Sequence, residues 1–532
     1  MRLGLRFDLN CFKRVTQVLQ LQLGDKKTNN HFSSYHYTGD KKIMKKVIVI
    51  GGGVAGLTAG KHLVDSGKFE VKLLEGNSRV GGRVHTQALG DHFIENGAQW
   101  VHGEDGNEIF KIANSLKLLD TEKNNIKFSS DSVFVTESGK VLDKPVHDNV
   151  TIILGKILDG PEDNEVEGSV GDWAIKRFNE ALDSYPLEKS LSASVLDWIH
   201  RFEDNIDGSD NWFQSSLRGQ HEYEECEGNP TIAWEPPASY SSLLGVILNG
   251  TPTEAPNFQP ELPDWIELNK EVQNIEVLDE EATGIRITCS DGSQHTCDHA
   301  ICTFSLGVLK HFHKSLFSPQ LSDIKQKTIE NLGIGCVNKL HFDFKTKWWP
   351  DSIIGFNFLW NDTDPVAQYW RSDIDDETLR KDIDGFPLWC RNILGFYVVA
   401  SHPTALNSWI TGPASKLIET LTDEEVKDIF MKVCRKFLPN YDIPDPVEFC
   451  RTSWFSNRFT KGSYSFRQMK SEENNVWSSE LASPILGKNG IPVLCFAGEA
   501  THDHFYSTVH GAYESGVREA TRLIDLENAT AN

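Results

Sequence analysis

The chain is poor in several things at once. It contains no stretch approaching the roughly 18 consecutive apolar residues of a bilayer-spanning helix, which argues against a membrane span. Basic residues are outnumbered, 53 Lys and Arg against 76 Asp and Glu, for a formal charge of −23. Phosphate backbones are gripped by basic patches, so nucleic acid is excluded as a partner, and small cations are the molecules such a surface attracts. Ten cysteines are scattered without one C-x-x-C pair, leaving neither a zinc framework nor a disulfide scaffold and pointing to a reducing, cytoplasmic setting. The first 44 residues carry Arg2, Arg6, Lys13 and Arg14, but Asp8 interrupts them and no apolar signal-peptide core follows. They are expected to be a disordered extension, with a mitochondrial transit peptide as the alternative. The chain closes on ENATAN, which is not a Ser-Lys-Leu type of address. Without a secretory signal, the sequon Asn361-Asp362-Thr363 reads as a chance match. Internal repeats and low-complexity segments are absent too.

What is present is a 532-residue chain with 39% hydrophobic and 24% charged residues, long enough for two domains and large pockets. Residues 45–60 read KKVIVIGGGVAGLTAG: a β-branched run, a glycine turn, then a helix-compatible pattern. Gly51, Gly53 and Gly56 occupy the three positions of G-x-G-x-x-G, which serve the tight turn, the close approach of backbone to a pyrophosphate, and helix–strand packing. The segment FEVKLLEGN then supplies a second strand ending at Glu75, placed to hold ribose hydroxyls. A carboxylate there favours NAD or FAD over NADP. The bland alternative is a glycine-rich turn in some other α/β protein.

A second segment, NLGIGCVNKLHFDF at 331–344, alternates Leu340, Phe342 and Phe344 with Lys339, His341 and Asp343, the pattern of a strand with one apolar and one polar face. On that pattern alone, Lys339 is a solvated side chain.

The words SRVGGRVHT (78–86), NGAQWVHG (96–103), HAICTFSLGVLK (299–310), SWFSNRFTKGSYSF (453–466) and FAGEATHDHFYSTVHGAYESGVREATRLI (496–524) resemble, in this order, those of FAD-dependent amine oxidases, and the polyamine oxidase branch above all. The resemblance implies an α/β fold with a discontinuous Rossmann-like FAD-binding domain (45–130, 250–310 and 440–525) and an α+β substrate-binding domain (131–249 and 311–439). It implies FAD held by Gly51, Gly53, Val54, Ala55, Gly56, Glu75 and Arg83. Gly97, Ala98, Gln99 and Trp100 would lie by the isoalloxazine, Val272 at the adenine, Glu499 at the ribityl chain, and Thr508 and Val509 at a helix start facing the flavin pyrimidine. That last placement has its own physical sense, because a helix N-terminus stabilises the negative charge of a reduced flavin. The family's covalent tether, where it exists, is a cysteine falling near Ser463, so a non-covalent cofactor is expected.

The same resemblance turns Lys339 into a catalytic residue holding a water at the flavin, and the polar strand face into a cavity wall. It places His102, Tyr464, Thr508 and Glu227 at the substrate. Against each stands a plainer role: a hydrogen-bonded histidine, a core tyrosine, and for the EYEECEG run around Glu227 a solvated acidic loop. His502 and His504 form an H-x-H pair without a third ligand, so no metal is expected. Asp503, Arg458 and Ser239 depart from the family's usual residues. The implied activity is oxidation of a polyamine (spermine, spermidine or an acetylated form) by oxygen, giving a shorter amine, an aldehyde and hydrogen peroxide. The alternatives are oxidation of a monoamine or methyl-lysine, or a flavin- and polyamine-binding protein without turnover.

Overall fold

The β-branched run becomes the central strand Lys45–Ile50, with Val47 and Val49 fully buried. The structure, a computed structural model, describes residues 44–121, 132–161, 166–278, 284–361 and 374–530. The N-terminal extension up to residue 43 and Asp362-Thr363 of the sequon lie outside them.

Strand Lys45–Ile50 pairs in parallel with Phe69–Leu74 on one side and His299–Cys302 on the other. Pro492–Phe496 adds in parallel beyond the latter, and the short strands Ile485–Leu486 and Ile266–Glu267 form the edges. Near-continuous apolar strands are what a parallel sheet covered on both faces demands, and separate hydrophobic clusters lie on either side of this one. The helix Val54–Asp65 follows the glycine turn, and the last helix, Val509–Thr530, packs along it. Their approach depends on Gly516, where a Cβ would stand 2.4 Å from the Ala55 carbonyl oxygen. A four-stranded sheet carries Val272–Val277 alongside.

The second six-stranded sheet runs in the order Glu448–Arg451, Val337–Asp343, His402–Thr411, Gly395–Val399, Gly355–Leu359, Ser132–Thr136. An aromatic cluster covers one face, including Phe342, Phe358, Phe396 and Phe430; the helices Lys144–Leu158, Val170–Leu182 and Lys189–Asp207 contribute the cluster on the other. Two strands cross the domain ranges expected from sequence. Glu448–Arg451 pairs with Val337–Asp343 and so belongs to the second sheet, and Phe317–Ser318 pairs with Val272–Val277 beside the first. Strand pairing is decided by the partner's edge, which no local pattern carries.

No helix among the described residues is long and apolar enough to cross a membrane. Their nine cysteines are all free thiols.

Candidate active site

At the end of Lys45–Ile50 the chain turns through Gly51 at φ +106°, a conformation glycine adopts at no steric cost. A Cβ on Gly56 would lie 1.9 Å from the Gly51 carbonyl oxygen, so helix and turn touch only because it is missing. Gly53 is different: no heavy atom lies within 4 Å of where its Cβ would be, and as the N-cap of Val54–Asp65 it brings no capping side chain. The open face and the free N–H groups of a helix start make an anion cradle. Glu75 closes the next strand with its carboxylate accepting from Gly52 N at 2.5 Å and Asn77 N at 2.7 Å. Burial outweighs these bonds and raises its pKa.

These groups line one cavity of about 1310 Å³ that runs from Glu75 and Val272 past Gly53, Val54, Ala55 and Arg83 to Gly97, Ala98, Gln99 and Trp100. Arg83 bridges its walls, donating at 2.8 Å to both the Ser463 carbonyl and Glu499 Oε1. The other Glu499 oxygen accepts from Ser465 Oγ (2.6 Å) and Ser507 N (2.7 Å). Burial alone would raise the Glu499 carboxyl; Arg83 and these donors win and hold it below its usual range. Thr508 caps the last helix, accepting from Gly511 N at 3.0 Å, so the start of that helix at Val509 faces the same space. Ser463 Oγ is engaged with the Val337 backbone, accepting from its N–H at 2.8 Å and donating to its carbonyl at 2.9 Å.

Lys339 is not on a solvated face. It lines the cavity, and Nζ donates to the Gly97 carbonyl (2.7 Å), Gln99 Oε1 (2.8 Å) and the Glu95 carbonyl (3.1 Å). Its strand neighbours of the same parity, His341 and Asp343, are 1% and 7% exposed. Burial lowers the Lys339 pKa to about 7, against the pull of the Glu95 carboxylate.

The cavity has an anion cradle at one end and a lysine at the other, and the sequence that builds it matches a known family. The sequence pattern described as flavin containing amine oxidoreductase covers residues 54–524. The chain belongs to that family. It is 27% identical over 503 residues to human peroxisomal N(1)-acetyl-spermine/spermidine oxidase, spanning 90% of this chain and 95% of the relative. The Arabidopsis thaliana protein called probable polyamine oxidase 5 is 28% identical over 542 residues (90% and 98%), and the Drosophila melanogaster protein anon-37Cs 25% over 551 (97% and 98%). This amine oxidoreductase is therefore a FAD-dependent enzyme, and the residues above fit the cofactor: the Gly53 face is open, the helix start is uncapped, and Glu75 and Arg83 reach the cavity.

The structure gathers most sequence-predicted residues of this amine oxidoreductase on the cavity. His102 is exposed to it, with Nδ1 2.7 Å from the Pro230 carbonyl; partial loss of hydration inside the cavity lowers its pKa. Tyr464 lines it, its hydroxyl bonded to the Asn205 carbonyl and its ring seated where a Cβ on Gly208 would fall. Glu227 is not brought there: its side chain is exposed, outside the lining, and its carbonyl pairs with Glu104 and Asp105 N–H groups. His502 lies 3.2 Å from Glu514 and His504 3.3 Å from Glu224, and no metal-binding group of three or more exists among the described residues. Asp503 accepts from Ser478 away from the lining, Arg458 pairs with Glu271 at the Glu75 end, and Ser239 is wholly buried.

Sequence reasoning missed two acids. Glu203 and Asp207, one turn apart at the end of Lys189–Asp207, both line the cavity. Glu203 is 2% exposed and its Oε2 has no hydrogen-bond partner among the described residues. Burial first, then the neighbouring Asp207 and Asp204, push its pKa to about 8; burial raises Asp207 to about 6. The signal was the i, i+4 spacing in RFEDNID, which reads equally as a solvated helix face.

Proposed function

We propose that this enzyme oxidises polyamines. The carrying observation is Glu203: a buried carboxyl with an unbonded oxygen, opening with Asp207 onto the cavity that Lys339 lines. A buried acid without a cationic partner is unfavourable until a cation arrives, so the arrangement supports a substrate whose second nitrogen is a charged ammonium. Asp207 and Glu203 would bind that ammonium beyond the hydroxyl end of Tyr464, while the reacting nitrogen stays neutral near Lys339. The descriptions of the relatives as polyamine oxidases support the same reading.

Gly51, Gly53, Val54, Ala55, Glu75, Arg83, Val272, Glu499 and Val509 would hold the FAD, with Gly97, Ala98, Gln99, Trp100 and Thr508 near its ring system; Gly56, expected among them, lies outside the lining and serves the close packing of helix on turn. Bound FAD supplies two-electron oxidation of a carbon–nitrogen bond, with oxygen as final electron acceptor. Lys339 positions water and holds or passes a proton there, a role suited to an amine whose pKa burial lowers. His102, uncharged near neutrality, orients the substrate without repelling its ammonium. Water then splits the substrate imine, so amine, oxygen and water become a shorter amine, an aldehyde and hydrogen peroxide. Ser463, standing where the family's tethering cysteine would fall and bonded to the Val337 backbone, supports a cofactor held without a covalent bond.

The test is peroxide release from spermine, spermidine, their acetylated forms, tyramine and a methyl-lysine peptide. A polyamine should give the highest kcat/KM; preference for tyramine or the peptide over every polyamine would overturn the proposal.

A further inference from the structure

Glu95 ends the short strand His92–Glu95 and is 7% exposed. Its main-chain carbonyl accepts from Lys339 Nζ at 3.1 Å. Its side chain is held only by neutral donors, Tyr240 N to Oε1 and Thr86 Oγ1 to Oε2, both at 2.8 Å. No ion pair involves this carboxylate among the described residues; burial raises its pKa to about 7, and Tyr240, Thr86 and the one nearby cation, Lys339, pull it back. A buried acid without a contact counter-ion, next to the lysine of the site, needs an explanation.

We propose that Glu95 is a positioning residue for Lys339, its main-chain carbonyl fixing where the amine sits and its carboxylate setting whether that amine carries a proton. The proposal rests on the reading of Lys339 given above. The surroundings leave the pair to itself. Tyr240, on the loop that caps Glu95, is raised by burial and by Glu95, and stays neutral. Burial drives His341, on Lys339's own strand, down to about 3 and His85, just before the strand Thr86–Leu89, to about 4, with Lys339 and Arg79 respectively adding to the effect. His402 is lowered as well; it stands 3.7 Å from Asp343, and its ring lies 4.7 Å from that of His92. Arg79 is tied to the Val80, Gly82 and Val84 carbonyls. Near neutrality, Glu95 and Lys339 are the two groups whose charges answer one another. An ionised Glu95 favours the ammonium; without it, Lys339 gives up its proton at lower pH.

The test uses flavin-loaded wild type, Glu95→Gln, Glu95→Asp, Lys339→Met and the Glu95→Gln/Lys339→Met double variant. Flavin reduction by spermine is followed under nitrogen across pH, and thermal unfolding is recorded alongside. In Glu95→Gln the pH limb that disappears in Lys339→Met should move to lower pH by about one to three units, and Glu95→Asp should restore it towards wild type. In unfolding, each single variant leaves the other group buried alone, so the Tm loss of the double variant should be smaller than the two single losses added together. A folded, flavin-loaded Glu95→Gln whose limb does not move, or additive Tm losses, would overturn the proposal. If Lys339→Met keeps the wild-type profile, the reading of Lys339 has failed, and the unfolding cycle alone decides whether the two groups are paired.

Discussion

Replacing Glu203 by Gln should weaken polyamine binding by an amount that the surroundings of Glu203 allow to be worked out. An ammonium seated about 4 Å from the carboxylate, at an effective dielectric of about 20, gains about 4 kcal/mol. Against this stands the proton that Glu203 must first lose: with a pKa of about 8, ionisation at pH 7 costs about 1.4 kcal/mol. The difference, about 2–3 kcal/mol, corresponds to a rise in KM for spermine of roughly 30- to 150-fold. The sign of the pH effect follows. The folded pKa is raised above its usual 4.5, so the carboxylate needed for binding forms only as pH climbs towards 8. Wild-type KM should fall over pH 6 to 8.5, and Glu203→Gln should lose that slope. Tyramine, with a single nitrogen, supplies the control, because its KM should change little. Steady-state peroxide release with both substrates, at fixed ionic strength, reads all of this. Equal losses for the two substrates, or a spermine KM within about twofold of wild type, would refute an ammonium site at Glu203.

Lys339→Met should retain FAD yet slow flavin reduction or its reoxidation by about 10²-fold or more, the scale of a lost positioned acid–base group; stopped-flow rates equal to wild type in both half-reactions would return Lys339 to a structural role. Acid precipitation of the yellow protein should leave all flavin in the supernatant, and colour retained in an unfolded pellet would show a covalent tether. Gly53→Ala should fold with normal circular dichroism but bind FAD weakly, because its methyl enters only the open cradle. Gly56→Ala should lose soluble, flavin-loaded protein altogether, since its methyl collides with backbone 1.9 Å away; a Gly56→Ala holoenzyme of wild-type Tm would contradict the geometry.

The cradle was legible because it is local: Gly51, Gly53, Gly56 and Glu75 lie within 25 residues, and each answers a constraint of the turn itself. Lys339 was half legible. Alternation correctly marks the strand Val337–Asp343, but alternation equates polar with solvated, and this sheet is covered on both faces. His341 and Asp343 are buried for that reason, and Asn338 on the opposite face is too. The acids went the other way. The run around Glu227 is conspicuous because acids cluster there, and clustering is what solvent permits. Glu203 looks like any helix-surface glutamate until the turn after its helix brings Gly208 against Tyr464, some 250 residues away in sequence. The pairing of Glu448–Arg451 was hidden for a similar reason, since its partner strand is about a hundred residues upstream.

The close contact between Gly516 and Ala55 also sets an order of events during synthesis. One wall of the cofactor site is made from the helix Val54–Asp65 and another from the start of Val509–Thr530, with about 450 residues between them. At a translation rate of about 5–20 residues per second, the glycine turn waits roughly 20 to 90 seconds for the helix that lies along it. Through that interval the apolar side of Val54–Asp65, including Leu57 and Leu63, lacks its final cover. A nascent chain interrupted before residue 509 therefore cannot be rescued by flavin, because supplying more cofactor does not supply the missing wall. Riboflavin status should govern how much finished protein survives, and have no bearing on truncated forms.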